Sequence, residues 1–159
     1  MDVNSLHNVF IILHSASATL GFFAGGFLMF SPVEISYQRF FRVYWWSLVA
    51  MVVLLAAAIA VYWRNYSDIE QIVFPGLLAL AVYMLYRAQR ANRLLSSQQP
   101  DWKRDYIEHI GFTLISLFEG FVIVSGLNAG LSGWLVAVFA ILGFLLGRGL
   151  IGFAQRRIE

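Results

Sequence analysis

The sequence predicts an all-α integral membrane protein, a bundle of five transmembrane helices. Three observations predict it. Of the 159 residues, 60% are hydrophobic and only 13% charged, against roughly 45–50% and about 25% in an ordinary soluble domain. The mean hydropathy is +0.71. The apolar residues fall into five runs of about 20 residues, the length that crosses a hydrocarbon core about 30 Å thick. Five such runs and their connections occupy nearly all of the chain, so residues 1–159 are read as one membrane domain. Too few charges are present to cover a soluble surface, which excludes a soluble globular enzyme, a disordered tail and a fibrous repeat. Cysteine is absent, which leaves no disulfide framework, thiolate metal site or cysteine nucleophile.

The first span is expected over about residues 8–30, with a centre of small residues and an end at Pro32 and Glu34. The second, about 43–63, opens on Tyr44, Trp45 and Trp46 and closes on Tyr62 and Trp63, aromatic rings of the kind that sit at membrane interfaces. The third, about 69–86, carries Pro75 and Gly76 near its start, so a kink or a late helix start is expected there. The polar stretch 87–106 holds Ser96, Ser97, Gln98, Gln99 and Pro100, and its first part, Arg87 to Leu95, is read as helix continuing beyond the membrane. The fourth span, about 107–127, is joined by a tight turn at Asn128, Ala129 and Gly130 to the fifth, about 131–153. No internal repeat or inverted symmetry is found. No Lys or Arg precedes Arg39, and the first apolar run is too long for a signal-peptide core, so a secretory signal peptide is not expected.

Charge sets the expected orientation. With five spans, Arg39, Arg42, Arg87, Arg90, Arg93, Lys103, Arg104, Arg148, Arg156 and Arg157 share one side, and only Arg64 lies on the other. The positive-inside rule then puts the N-terminus outside and the C-terminus in the cytoplasm of a plasma or inner membrane. The net charge of +2 and pI near 9.2 are therefore topology signals, and no nucleic-acid partner is expected. The basic loop 87–106 also has the charge to attract anionic headgroups, although Asp101 and Asp105 interrupt it.

Polar and small residues inside the spans are the candidate functional groups. Ser17, Gly21 and Gly25 repeat every four residues, and His7, His14 and Ala18 share their face. Such stripes let helices approach closely in lipid, and Gly143 and Gly147 form a similar pair in span 5. In span 4, His109, Thr113, Ser116, Glu119 and Gly120 lie within one arc. Glu119 is deep in the core, where a charge costs roughly 2.5–3.5 kcal/mol or more, so it must be protonated, paired or facing water. His14 lies at nearly the same depth. Contact between spans 1 and 4 would let His14 and Glu119 form a hydrogen-bonded pair, a relay or ligand site or a polar lock on helix register.

Histidines on apolar helices are also haem ligands. His14 and His109 are separated by roughly 18 Å along the membrane normal, and His7 and His14 by about 10 Å on one helix. Neither pair can share one iron, so a bis-histidine haem would need a partner chain, and no cofactor or metal is expected. The His-Glu-x-x-His, Gly-x-Ser-x-Gly and Gly-Lys-Ser/Thr templates are missing.

Leu13-His14, the Gly-rich helix after it, and Tyr37-Gln38-Arg39-Phe40-Phe41-Arg42-Val43-Tyr44 resemble a bacterial polytopic membrane family of unassigned function. That family has a His in its first helix, then a His-Arg-Arg-x-Gly-Arg-x-Tyr-like segment. Trp102, Arg104 and Tyr106 are similar to a later Trp–Arg–Tyr segment of the family. Tyr37 stands in place of the family's second His, and Phe41 in place of the Gly. The resemblance, over roughly residues 10–120, implies a membrane architecture and no particular activity.

The functional expectation is a membrane protein without an enzyme active site, self-associating as a homo-oligomer or serving as an accessory subunit of a larger membrane complex. The alternatives are a small proton-coupled transporter using Glu119 and His14, and a haem- or quinone-linked redox protein.

Overall fold

The computed structural model describes residues 2–30, 37–97 and 102–156. Pro32, Glu34, Gln98, Gln99, Pro100, Asp101 and Arg157 lie outside them. The described residues form five helices and no strand: α1 (Val3–Phe30), α2 (Tyr37–Tyr62), α3 (Asp68–Ser97), α4 (Trp102–Asn128) and α5 (Gly133–Arg156), with a 3-10 turn over Trp63–Asn65. Each helix is long and apolar enough to cross a bilayer. The outer surface has the matching character. Ile72, Leu146 and Phe23 are 75%, 72% and 69% exposed, a surface suited to hydrocarbon rather than water.

Neighbours in the chain pack side by side. α1 lies on α2, α2 on α3, α3 on α4, and α4 returns to α1, while α5 packs on α4 outside this ring. The ring closes around Leu28, Tyr44, Leu48, Tyr106, Ile110 and Thr113, which are almost completely buried. α3 turns Ala81, Met84, Ala88 and Ala91 inward at helical spacing, and its small residues allow a close approach to α4.

Local chemistry explains the ends. Asp2 caps α1 by accepting the Ser5 N–H at 2.7 Å, and this bonding to Ser5 holds its carboxyl below the usual carboxylate range. Of the kink or late start expected at Pro75, the late start is not seen. The helix begins at Asp68, because Ser67 and Glu70 form a reciprocal capping box: the Ser67 N–H and hydroxyl donate to Glu70 Oε2 at 2.8 and 2.7 Å, and the Glu70 N–H donates to Ser67 Oγ at 3.4 Å. With the start anchored, Pro75 is carried inside the helix. Gln71 ties it to the preceding turn by donating to the carbonyls of Trp63 and Tyr66. Burial, with Glu70 and Tyr62 acting in the same direction, pushes the Tyr66 phenol between these elements up to about 12, so it stays neutral. The other end of α3 runs unbroken past Arg87 to Ser97.

The turn after α4 has the expected residues. Gly130 adopts φ +72°, and the Leu131 N–H donates to the Gly126 carbonyl at 3.0 Å, the Schellman closure that favours glycine. α5 then begins at Gly133, with the Val136 N–H returning to the Ser132 carbonyl at 3.2 Å.

Candidate functional site

The seam between α4 and α5 is built from glycines facing bulky side chains. Gly111 of α4 receives Ile151 of α5, Ile115 meets Gly147, Glu119 meets Gly143, and Gly126 receives Val136. Each advance along α4 is matched by an equal retreat along α5, so the helices are antiparallel and in strict register. The first and last of these glycines belong to α4 and the middle two to α5, and each larger residue fills the space the opposite missing Cβ leaves. A Cβ at Gly126 would fall 2.8 Å from Val136 Cγ2, well inside contact distance. Glu108 and Arg148 form an ion pair across the same two helices nearer their basic end.

Glu119 occupies the third position of that seam. Nine residues separate it from the end of α4 at Asn128, about 14 Å along the axis. Both carboxyl oxygens are shielded and have no hydrogen-bond partner among the described residues. They lie over Gly143, where a Cβ would sit 2.5 Å from Oε1 and 2.8 Å from the Phe118 ring. The carboxyl group therefore occupies a notch made by the absence of a side chain on α5.

The structure does not bring His14 to Glu119. The His14 ring bonds through Nδ1 to the Met51 carbonyl of α2 at 2.9 Å, and His7 repeats this two turns earlier with the Ala58 carbonyl at 3.3 Å. Both rings thus lie on the α2 side of α1. Those carbonyls accept, so each Nδ1 carries a proton. His7 also stacks on Tyr62, with centroids 4.3 Å apart. Two turns apart on one helix, the two imidazoles do not share one metal ion. No group of three His, Asp or Glu side chains suited to a metal comes together among the described residues.

The polar arc of α4 divides for the same reason. At 3.6 residues per turn, Glu119 lies about 120° around the helix from Thr113. Thr113 faces α2 and is fully buried. Its hydroxyl donates to the Ile110 carbonyl at 2.7 Å, so the short bond between it and Tyr44 has the Tyr44 hydroxyl as donor. Ser116 donates to its own helix, at the Phe112 carbonyl 3.0 Å away. Gly120 faces open space. His109 is half-buried, and its Nδ1 is shielded without a partner among the described residues.

On α1, Gly21 faces Ser47 and Leu48, and Gly25 faces the Tyr44 ring and Leu114 Cδ2. Ser17 is half-buried beside them. Tyr44 corrects the expectation of an interfacial ring: it is fully buried, whereas Trp46 is 64% exposed. Three consecutive aromatics cannot share one helix face, and the space over Gly25 admits Tyr44. The sequence signal available was the glycine stripe opposite an aromatic with a hydroxyl to satisfy.

No family model, curated protein or solved structure matches the chain.

Proposed function

We propose that this protein is a small polytopic membrane protein that takes up and releases a proton at Glu119, the step at the heart of a proton-coupled carrier. The observation that carries the reading is the Glu119 carboxyl group, shielded and without a partner among the described residues, well inside an apolar helix. A neutral acid rests in such a place at modest cost, whereas a carboxylate there costs roughly 2.5–3.5 kcal/mol or more. Release of the proton must therefore accompany admission of water or a counter-ion. The α4–α5 seam is where that happens, because α5 packs mainly on α4 and Gly143 lies against the carboxyl. Protonation is thereby linked to how closely α5 lies on α4. His14 has no part in this step, being held on α2.

The test is proton flux into proteoliposomes under an imposed membrane potential, with wild type and Glu119→Gln compared. Glutamine keeps the shape and removes the titratable group, so flux should fall to the level of empty vesicles. Flux equal to wild type in the variant removes the reading.

We place the N-terminus outside and the C-terminus in the cytoplasm, because Arg39, Arg42, Arg87, Arg90 and Arg104 sit at one end of the bundle and Arg64 at the other. The cysteine-free chain allows a direct test. A single cysteine at Asn65 should react with an impermeant maleimide from outside intact cells, and one at Arg93 only after lysis; the reverse pattern inverts the topology.

Self-association is a second reading, favoured by Gly149 and Gly152 of α5, around which no other group of the described residues lies within 4 Å of an added Cβ. Such bare small residues allow a neighbouring helix to approach. The native mass of gently extracted protein decides it: several copies or an added subunit support it, and the bare chain removes it.

A further inference from the structure

We propose that the α3–α4 face at the basic end binds the phosphate headgroup of an anionic lipid through Arg87 and Arg90, with His109 behind them. Arg87 is half-buried. Its Nη2 donates to the Glu108 carbonyl at 3.3 Å, and its guanidinium lies 4.6 Å over the Phe112 ring. Among the described residues its Nε is shielded with no partner, and so is Nδ1 of His109. One turn on, Arg90 donates from Nε to the Tyr86 hydroxyl at 3.0 Å and lies over that ring.

Among the described residues these guanidinium groups lack a carboxylate partner. Glu108, beside His109 in the chain, gives its carboxylate to Arg148 on the far side of α4. Among the described residues neither Arg87 nor Arg90 is paired with a carboxylate, and of the acids near His109 only Asp105 remains besides Glu108. A half-buried guanidinium held by a carbonyl and a ring is incompletely compensated. At this level of a bilayer the available anion is phosphate, which the planar Arg fork matches with two parallel hydrogen bonds. The flanking rings give the depth. Tyr83 and Tyr86 are exposed on the same face, Tyr83 packs edge-on against Phe112, and tyrosines in such positions sit at headgroup level. Basic pockets between helices at this level are a known form of headgroup site.

The experiment is native mass spectrometry of the full-length protein, delipidated in mild detergent and titrated with phosphatidylglycerol, phosphatidylcholine or inorganic phosphate. Wild type should retain phosphatidylglycerol over phosphatidylcholine. Arg87→Gln and the exposed Arg90→Gln should each weaken that binding about tenfold, the loss of one charged hydrogen bond, while Arg64→Gln at the opposite end should bind as wild type. Displacement of the lipid by inorganic phosphate at matched concentration would keep the site and overturn the lipid as its source. Equal retention of the two lipids, or undiminished binding in Arg90→Gln, overturns the site itself.

Discussion

Replacing Gly147 with alanine is expected to lower the stability of the protein by about 1–3 kcal/mol, the usual cost of forcing a methyl group into a filled interface. The added Cβ would overlap Ile115 Cγ1 and lie 2.8 Å from its Cδ1. Isoleucine is branched at Cβ and stiff at χ1, so it cannot swing aside cheaply, and α5 must move away from α4. Gly111→Ala makes the reciprocal clash with Ile151 and should behave alike. The check is thermal unfolding in one detergent. Ile115→Ala added to Gly147→Ala should recover much of the loss, because it removes the obstructing atoms. Additive losses in that pair would show that the two residues are not packed against one another.

Gly143→Ala should behave differently, although it belongs to the same seam. The group it meets first is the end of the Glu119 side chain, with the edge of Phe118 beside it. A flexible carboxyl group moves where an isoleucine does not, so stability should change less than in Gly147→Ala. The carboxyl group itself should be displaced from its notch. Dicyclohexylcarbodiimide, which adds to protonated carboxyl groups in apolar surroundings, gives the readout. Wild type should be labelled at Glu119, Glu119→Gln should lose all of that label, and Gly143→Ala should be labelled at a rate changed severalfold. Labelling of Gly143→Ala at the wild-type rate would mean that Gly143 does not shape the site. No labelling of wild type at any pH would count against a neutral acid at Glu119 and so against the proton reading.

Much of the architecture was legible because hydrocarbon imposes a length. Five apolar runs become five helices, and the Asn128–Gly130 turn follows from a glycine free to take positive φ. The far end of α3 was legible as helix continuing past the apolar run to Leu95, and it runs to Ser97, where Ala88 and Ala91 are buried. Its start was less legible. Pro75 suggested a kink or a late start, and the Ser67–Glu70 box, a local signal four residues long, decided against the late start.

The candidate site was legible by residue type and not by partner. Glu119 is conspicuous in any apolar run, and its depth follows from counting residues. That depth also matched it with His14, a match the structure does not make. Equal depth fixes one coordinate only; the angle around each helix and the order of helices around the bundle decide the rest. His14 turns to carbonyls on α2, and Glu119 lies about 120° from the Thr113 face, toward α5. Likewise Tyr44 was read as an interfacial ring from its place near a helix end, and became the centre of the core because Gly25 makes room for it.

The sequence by itself determined the helix class, the number of long apolar helices, the separation of basic residues to one end and the presence of a deep carboxyl group. Each depends on one segment and its solvent, so each can be read along the chain. Only the tertiary structure decided that α5 packs on α4 in glycine register, that Glu119 rests over Gly143, and that Arg87 and Arg90 stand without a carboxylate among the described residues. Those depend on which faces of separate helices meet, and in an apolar medium that choice is made by the fit of small residues against large ones, which no single segment encodes.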